Sequence, residues 1–178
     1  DFKKTFDTRL VPHFAGSSAR LNASLSCLRR FSQQEAVAVA NMMEMLRLHA
    51  PGHAGPRSGS NRDVCMHAGG FIRRSQTCGS MVSKLTEDGA LHFFTGTSAP
   101  CLSVFRPVSF DGNAEFSVLN PDGETVDGSV WRIHEHIHRR VLFHDEARLR
   151  LRQSVHETES RMLAVLNASN SNVTPDLQ

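Results

Sequence analysis

Residues 65–80 read CMHAGGFIRRSQTCGS, bringing two thiols, an imidazole, two guanidinium groups and several hydroxyls into one short run. Cys65 and His67 stand two apart, so on an extended segment thiol and imidazole face the same side. A thiol beside an imidazole ionises more readily and becomes a nucleophile. The opposing reading makes Cys65 a small buried hydrophobe. It is preferred, because catalytic partners usually meet through the fold rather than through neighbouring sequence. Cys78 and Cys101 read as strand-face residues. Arg73 and Arg74 lead into Ser75, Gln76 and Thr77. One arginine could clamp a carboxylate with two parallel hydrogen bonds. Adjacent strand residues face opposite ways, which leaves the other arginine in solvent.

A second constellation lies in WRIHEHIHRR. His134, Glu135 and His138 match H-E-x-x-H, which sets two imidazoles on one helix face with a carboxylate as general base. Such a site needs a third ligand, with His144 or Glu157 as candidates. The flanking Arg139-Arg140 and the charged run beyond suit a solvated helix as well. That plainer reading is preferred, and no metal and no cofactor are expected. P-loop, strand-linked G-x-G-x-x-G and G-x-S-x-G patterns are absent from the sequence. The four cysteines form no C-x-x-C pair, which removes zinc-ribbon and thioredoxin-like readings. Free thiols of a reducing, cytoplasmic protein are expected.

The elements that must position these groups are legible in part. The first 30 residues suggest a helix, or two, broken at Gly16-Ser17-Ser18. Ser32 with Glu35 reads as a capping box with Phe31 as its hydrophobic staple. It would open a helix through EAVAVANMMEMLRLH, with Ala36, Val39, Ala40, Met43 and Leu46 on one face. The helix should stop before Ala50-Pro51-Gly52. Residues 51–62 have the composition of a mobile loop. SMVSKL, TEDG and ALHFFTGT read as a β-hairpin closed by Asp88-Gly89, and CLSVFRPV as a third strand. Asp-Gly turns punctuate 111–128. From Ser129 onward Val130, Ile133, Ile137, Val141, Leu151, Val155, Met162 and Leu166 trace a helical stripe, interrupted by charge at 144–148. It is one long helix or two. The tail 167–178 is polar and frays.

The 178 residues suit one domain with a real core. The expected class is α+β, antiparallel strands packed with helices, in a single domain over 1–178. A net charge of +2 demands neither nucleic acid nor an anionic membrane. The arginine-rich stretch 139–152 is interleaved with Asp145 and Glu146 and, with Phe143 its one phenyl ring, lacks the series of aromatic partners of a single-strand nucleic-acid surface. No apolar run approaches a membrane span, and DFKKTFDT lacks the apolar core of a signal peptide. The sequons at Asn22, Asn167 and Asn172 read as chance.

Three strand segments carry a family resemblance. Ser80-Met81-Val82-Ser83, then Phe93-Phe94-Thr95-Gly96-Thr97 with Pro100 following, then Ser103-Val104-Phe105-Arg106-Pro107 resemble the C-terminal half of the secernin family and related C69-type dipeptidases. DVCMHAG, RRSQT, MMEMLR and the W-R-x-H-E-x-x-H-R segment are similar too. Only the loop 51–62 and the tail are poorly covered. The H-E-x-x-H match then becomes part of a family helix.

The resemblance implies an N-terminal-nucleophile hydrolase, a four-layer αββα sandwich. Its nucleophile would be a cysteine at the start of the processed chain, with its own α-amine as base. That cysteine is not in this sequence. The chain is therefore expected to be a C-terminal portion, inactive alone, with no catalytic residue of its own. Its expected partners are the N-terminal portion of the same protein and a small amide or dipeptide substrate. His67, Arg73, Thr77 and Ser80 are the expected pocket-side groups. Surface meant for the missing half should drive self-association, giving a homo-oligomer. Bacterial relatives act as dipeptidases and secernins are linked to exocytosis, so a non-catalytic interaction module is the alternative. A zinc hydrolase using His134, Glu135 and His138 ranks below both.

Overall fold

The alternating segment SMVSKLT forms β1 (Ser80–Thr86) and pairs antiparallel with β2 (Gly89–Thr95), from Ser80↔Thr95 to Thr86↔Gly89. Only Glu87 and Asp88 lie between the last paired residues, so the connection is tighter than a four-residue turn. Gly89 closes it at φ 142°, a conformation that side chains disfavour. The structure, a computed structural model, describes residues 5, 14–34, 37–52, 57–69, 71, 73–87, 89–108 and 130–171. The expected turns at 111–128, the end of the polar tail and Glu35 lie outside them.

The expected third strand splits in two. Residues Pro100–Leu102 form a 3-10 turn, and only β3 (Arg106–Val108) pairs with β2, with Phe94↔Arg106 in register. Pro100 presets the backbone dihedral of a helical first residue and has no N–H to lose. Ala99 before it takes a left-handed φ of 60°. The turn is closed by Leu102 N–H on the Ala99 carbonyl at 2.8 Å. Pro107 is tolerated because β3 is an edge strand of the β1-β2-β3 sheet.

Helix α1 (Ser17–Phe31) begins after Gly16, whose φ is 66°. A Cβ at Gly16 would lie 2.8 Å from the Asn61 carbonyl oxygen, so the close approach excludes a side chain there. Ser32 closes this helix rather than opening the next. Its N–H reaches the Leu28 carbonyl at 2.8 Å and its hydroxyl donates to Arg29 O at 2.9 Å. Helix α2 (Val39–Leu46) therefore starts later than the Ser32-Glu35 pattern suggests. Its entry is held by Asn41 Oδ1, which accepts from the Ala38 N–H at 2.8 Å. The final stripe resolves into α3 (Val130–Val141) and α4 (Asp145–Ser171). At the corner, Arg148 Nη1 donates to Leu142 O at 3.0 Å and Nη2 pairs with Asp145 at 2.6 Å.

Period-two alternation decides what is buried. Val82 and Phe93 point to one face of the sheet and pack with Met43 and Phe105. Val39, Met42 and Leu46 of α2 cover this face together with Met162, Leu163 and Leu166 of α4. The opposite face carries Met81, 53% exposed, and Leu85, 76% exposed. Among the described residues no helix is long and apolar enough to cross a membrane.

Candidate functional site

Four segments converge beneath the loop that carries residues 65–80. His49 follows the C-terminal end of α2. Cys65 is drawn beside it by its N–H bond to the Leu48 carbonyl, 3.1 Å. Buried Asp63 fixes the intervening loop, accepting from Ala50 N at 2.9 Å and from Ser60 N at 2.8 Å. Thr77 then ties this strap to the 3-10 turn. Its N–H donates to Met66 O at 3.0 Å, its Oγ1 accepts from Met66 N at 3.0 Å, and its carbonyl accepts from Ala99 N at 3.0 Å. Cys101 is thereby carried to the Cys65-x-His67 segment.

The side chains meet as a result. His49 Nε2 and His67 Nε2 lie 3.0 Å apart, with the rings stacked at 5.0 Å. Cys101 Sγ is 3.4 Å from His67 Nε2. The ligand atoms of His49, Cys65, His67 and Cys101 all lie within 4.8 Å of one another. Cys65, His67 and Cys101 are buried, and His49 is half-buried. His49 also lines a cavity of about 550 Å³ with Cys27, Asp63 and Val64. The two thiols titrate as a pair. The hydrogen bond from Cys101 pulls the Cys65 thiol well below its ordinary value against burial, helped by His49 and His67. The same bond, with burial, pushes Cys101 up.

The expected pocket groups are thus distributed. His67 is 1% exposed and faces the thiol–imidazole cluster. Arg73 leans back on its own loop, donating to His67 O at 3.4 Å and to Arg57 O at 3.5 Å. Thr77 acts through the backbone bonds just described. Ser80 begins β1, its N–H on Thr95 Oγ1 at 2.9 Å. The Cys65–His67 pairing exists, but within a buried set of four that also includes His49 and Cys101. Sequence reasoning passed over His49 and read Cys101 as a strand-face residue, whereas it sits in the 3-10 turn. Cys78 is exposed, with its thiol on Gln76 O at 3.4 Å.

The H-E-x-x-H residues do other work. His134 Nε2 lies 3.1 Å from Ser103 Oγ and 3.2 Å from Ser98 O. That nitrogen is committed to the 97–103 loop. Burial lowers the His134 and His138 pKa values. Ser103 beside an imidazole looks like a serine nucleophile with its base. Yet Ser103 is fully buried and its hydroxyl also faces the Ser98 and Ala99 carbonyls, both at 3.0 Å. A nucleophile must reach substrate, so this pair is a loop clasp. Next to it, a cavity of about 220 Å³ is lined by Phe94, Thr97, Arg106, Trp131, His134 and Thr158. Arg106 is partly desolvated there, which lowers its pKa. No known protein family, curated protein or solved structure matches the chain.

Proposed function

We propose that this chain forms the C-terminal part of a secernin-like cysteine amidohydrolase of the N-terminal-nucleophile type, acting in the cytoplasm on dipeptides or small amides. The nucleophilic cysteine belongs to a part of the protein outside these 178 residues. The observation that carries the reading is the arrangement of the three segments bearing the resemblance. They meet in one antiparallel sheet, with α2 and α4 on one face and Met81 and Leu85 exposed on the other. A helix layer on one sheet face, with Met81 and Leu85 exposed on the other, is compatible with half of an αββα sandwich. The second sheet, from the N-terminal part, would cover the open face.

In this reading the small cavity beside α3 receives the substrate carboxylate. Arg106 lines it and has no ion pair among the described residues. A partly desolvated guanidinium recognises a carboxylate through two parallel hydrogen bonds. The missing cysteine would attack the amide carbon, expel the amine and leave a thioester that water hydrolyses. The test is hydrolysis of a dipeptide panel by full-length protein, by its N-terminal cysteine→Ala variant and by Arg106→Gln. Activity lost with the cysteine, and KM raised at least about tenfold by Arg106→Gln, are expected. Full-length protein inert on every dipeptide and small amide would overturn the hydrolase and favour a binding module.

A further inference from the structure

We propose that His49, Cys65, His67 and Cys101 bind one Zn²⁺ in a closed tetrahedral site that fastens the fold. The proposal is independent of the hydrolase reading. Its ground is geometry. Two imidazole nitrogens and two sulfurs, from three separate stretches of chain, point at one small volume, with no pair farther apart than 4.8 Å. Zn–N bonds of about 2.05 Å and Zn–S bonds of about 2.3 Å set tetrahedral edges of about 3.3 Å (N to N), 3.6 Å (N to S) and 3.8 Å (S to S). The 3.0 Å between the histidine nitrogens and the 3.4 Å between Cys101 Sγ and His67 Nε2 lie close to these edges. Closing the set needs only small side-chain adjustments.

The donor chemistry selects the ion. Two thiolates with two imidazoles in tetrahedral array suit zinc, and the harder magnesium and calcium prefer oxygen. Binding takes both sulfurs as thiolates, and the two thiolate charges then cancel those of the cation. A neutral unit suits a pocket built from Cys65, Ala99, Cys101 and Leu102 and packed against Val141 and Leu151. All four positions are protein ligands and three of them are buried. That is the closed pattern of a structural site, without a position for water or substrate.

Metal-free, the same four groups are a poor hydrogen-bonding set. Two ring nitrogens at 3.0 Å can share only one proton, and Cys101 competes for the same His67 Nε2. His67 Nδ1 is buried without a partner among the described residues. Coordination through Nε2 fixes the ring proton on Nδ1, and the metal bond offsets that orphaned donor. The ion would reach the site from the 550 Å³ cavity, through half-buried His49. Once bound, it would join the end of α2, the 65–67 strap and the 3-10 turn.

Purified protein from zinc-sufficient medium, never exposed to chelator, tests this by elemental analysis. About one zinc per chain is expected. Cys65→Ser and Cys101→Ser should each fall below about one fifth of that, whereas Cys27→Ser and Cys78→Ser keep it. Misfolding could mimic the loss, so cobalt replacement in the unaltered protein gives a second readout. Tetrahedral visible bands and a thiolate-to-cobalt charge-transfer band are expected, and both should change in His49→Ala. Protein with neither zinc nor these bands after metal titration overturns the proposal. So does a Cys65–Cys101 disulfide in freshly purified protein, or one equivalent of a different metal.

Discussion

Arg47 donates from all three guanidinium nitrogens: Nε to Pro100 O at 2.8 Å, Nη1 to Glu159 at 2.7 Å, and Nη2 to both Ser103 O at 2.7 Å and Glu159 at 2.6 Å. Glu159 in turn accepts from Phe105 N at 2.7 Å. Both side chains are largely buried, and the Arg47 guanidinium stacks 4.8 Å from the Phe105 ring centroid. Arg47→Met strands a buried carboxylate and should cost about 3–5 kcal/mol in urea unfolding. Adding Glu159→Gln should cost less than the sum of the two single changes, because the pair shares its partners. The histidines of α3 give a pH signature. Burial lowers the pKa of His134 and His138 in the folded state, so the unfolded chain binds more protons at acid pH. Their contribution is whole above the unfolded value of about 6.5 and is lost as pH falls through the folded values. Unfolding free energies measured across that range should fall with pH, and His138→Gln should flatten the slope. At this scale the sequence says little. Arg47 and Glu159 stand 112 positions apart and follow no local pattern. His49 lies outside the run that holds Cys65 and His67, so spacing does not connect them. Cys65 and His67 are adjacent enough to draw attention, but only the fold supplies their partners.

The elements are more legible, and their errors are informative. The hairpin is foreseeable because alternation and an Asp-Gly turn act within a dozen residues. The division of the last stripe follows the charge break before Arg148. Cys101-Leu102-Ser103-Val104-Phe105 reads as a strand by composition, yet the first part turns. Pro100 starts the turn, and the Arg47 bonds to Pro100 O and Ser103 O hold it. Tertiary contacts thus override β-propensity there. Ser32 and Glu35 illustrate a second limit, since a serine serves as well at the end of one helix as at the start of another. Thr77 joins two elements through backbone bonds. Thr77→Val keeps the shape and the β-branch but leaves Met66 N without its acceptor. The expected cost is about 1–3 kcal/mol, read as a lower melting midpoint or urea midpoint. If Thr77 served only as a substrate contact, stability would be unchanged.

Across the described residues, one sheet face packs against α2 and α4, and the other leaves Met81 and Leu85 exposed while Phe94 and Arg106 line the cavity beside α3. Class and helix–strand order were readable from sequence, whereas the sandwich remains part of the proposed function. If the open face docks a second layer, Met81 and Leu85 belong to that junction. Met81→Lys with Leu85→Lys should leave unfolding free energy within about 0.5 kcal/mol, as for ordinary surface changes. The same pair should shift the chain from oligomer toward monomer in light scattering. An unaltered chain that is already monomeric at high concentration would count against the open-face reading. The cavity beside α3 has a practical side. The chain has one tryptophan and no tyrosine. Trp131 lies 39% exposed at the mouth of that cavity, beside Phe94 and Arg106 and one turn from His134. All of the protein's indole fluorescence therefore originates beside this cavity. A shift in its emission reports a change at that cavity, so the helix can be watched leaving or a carboxylate arriving without attaching a dye.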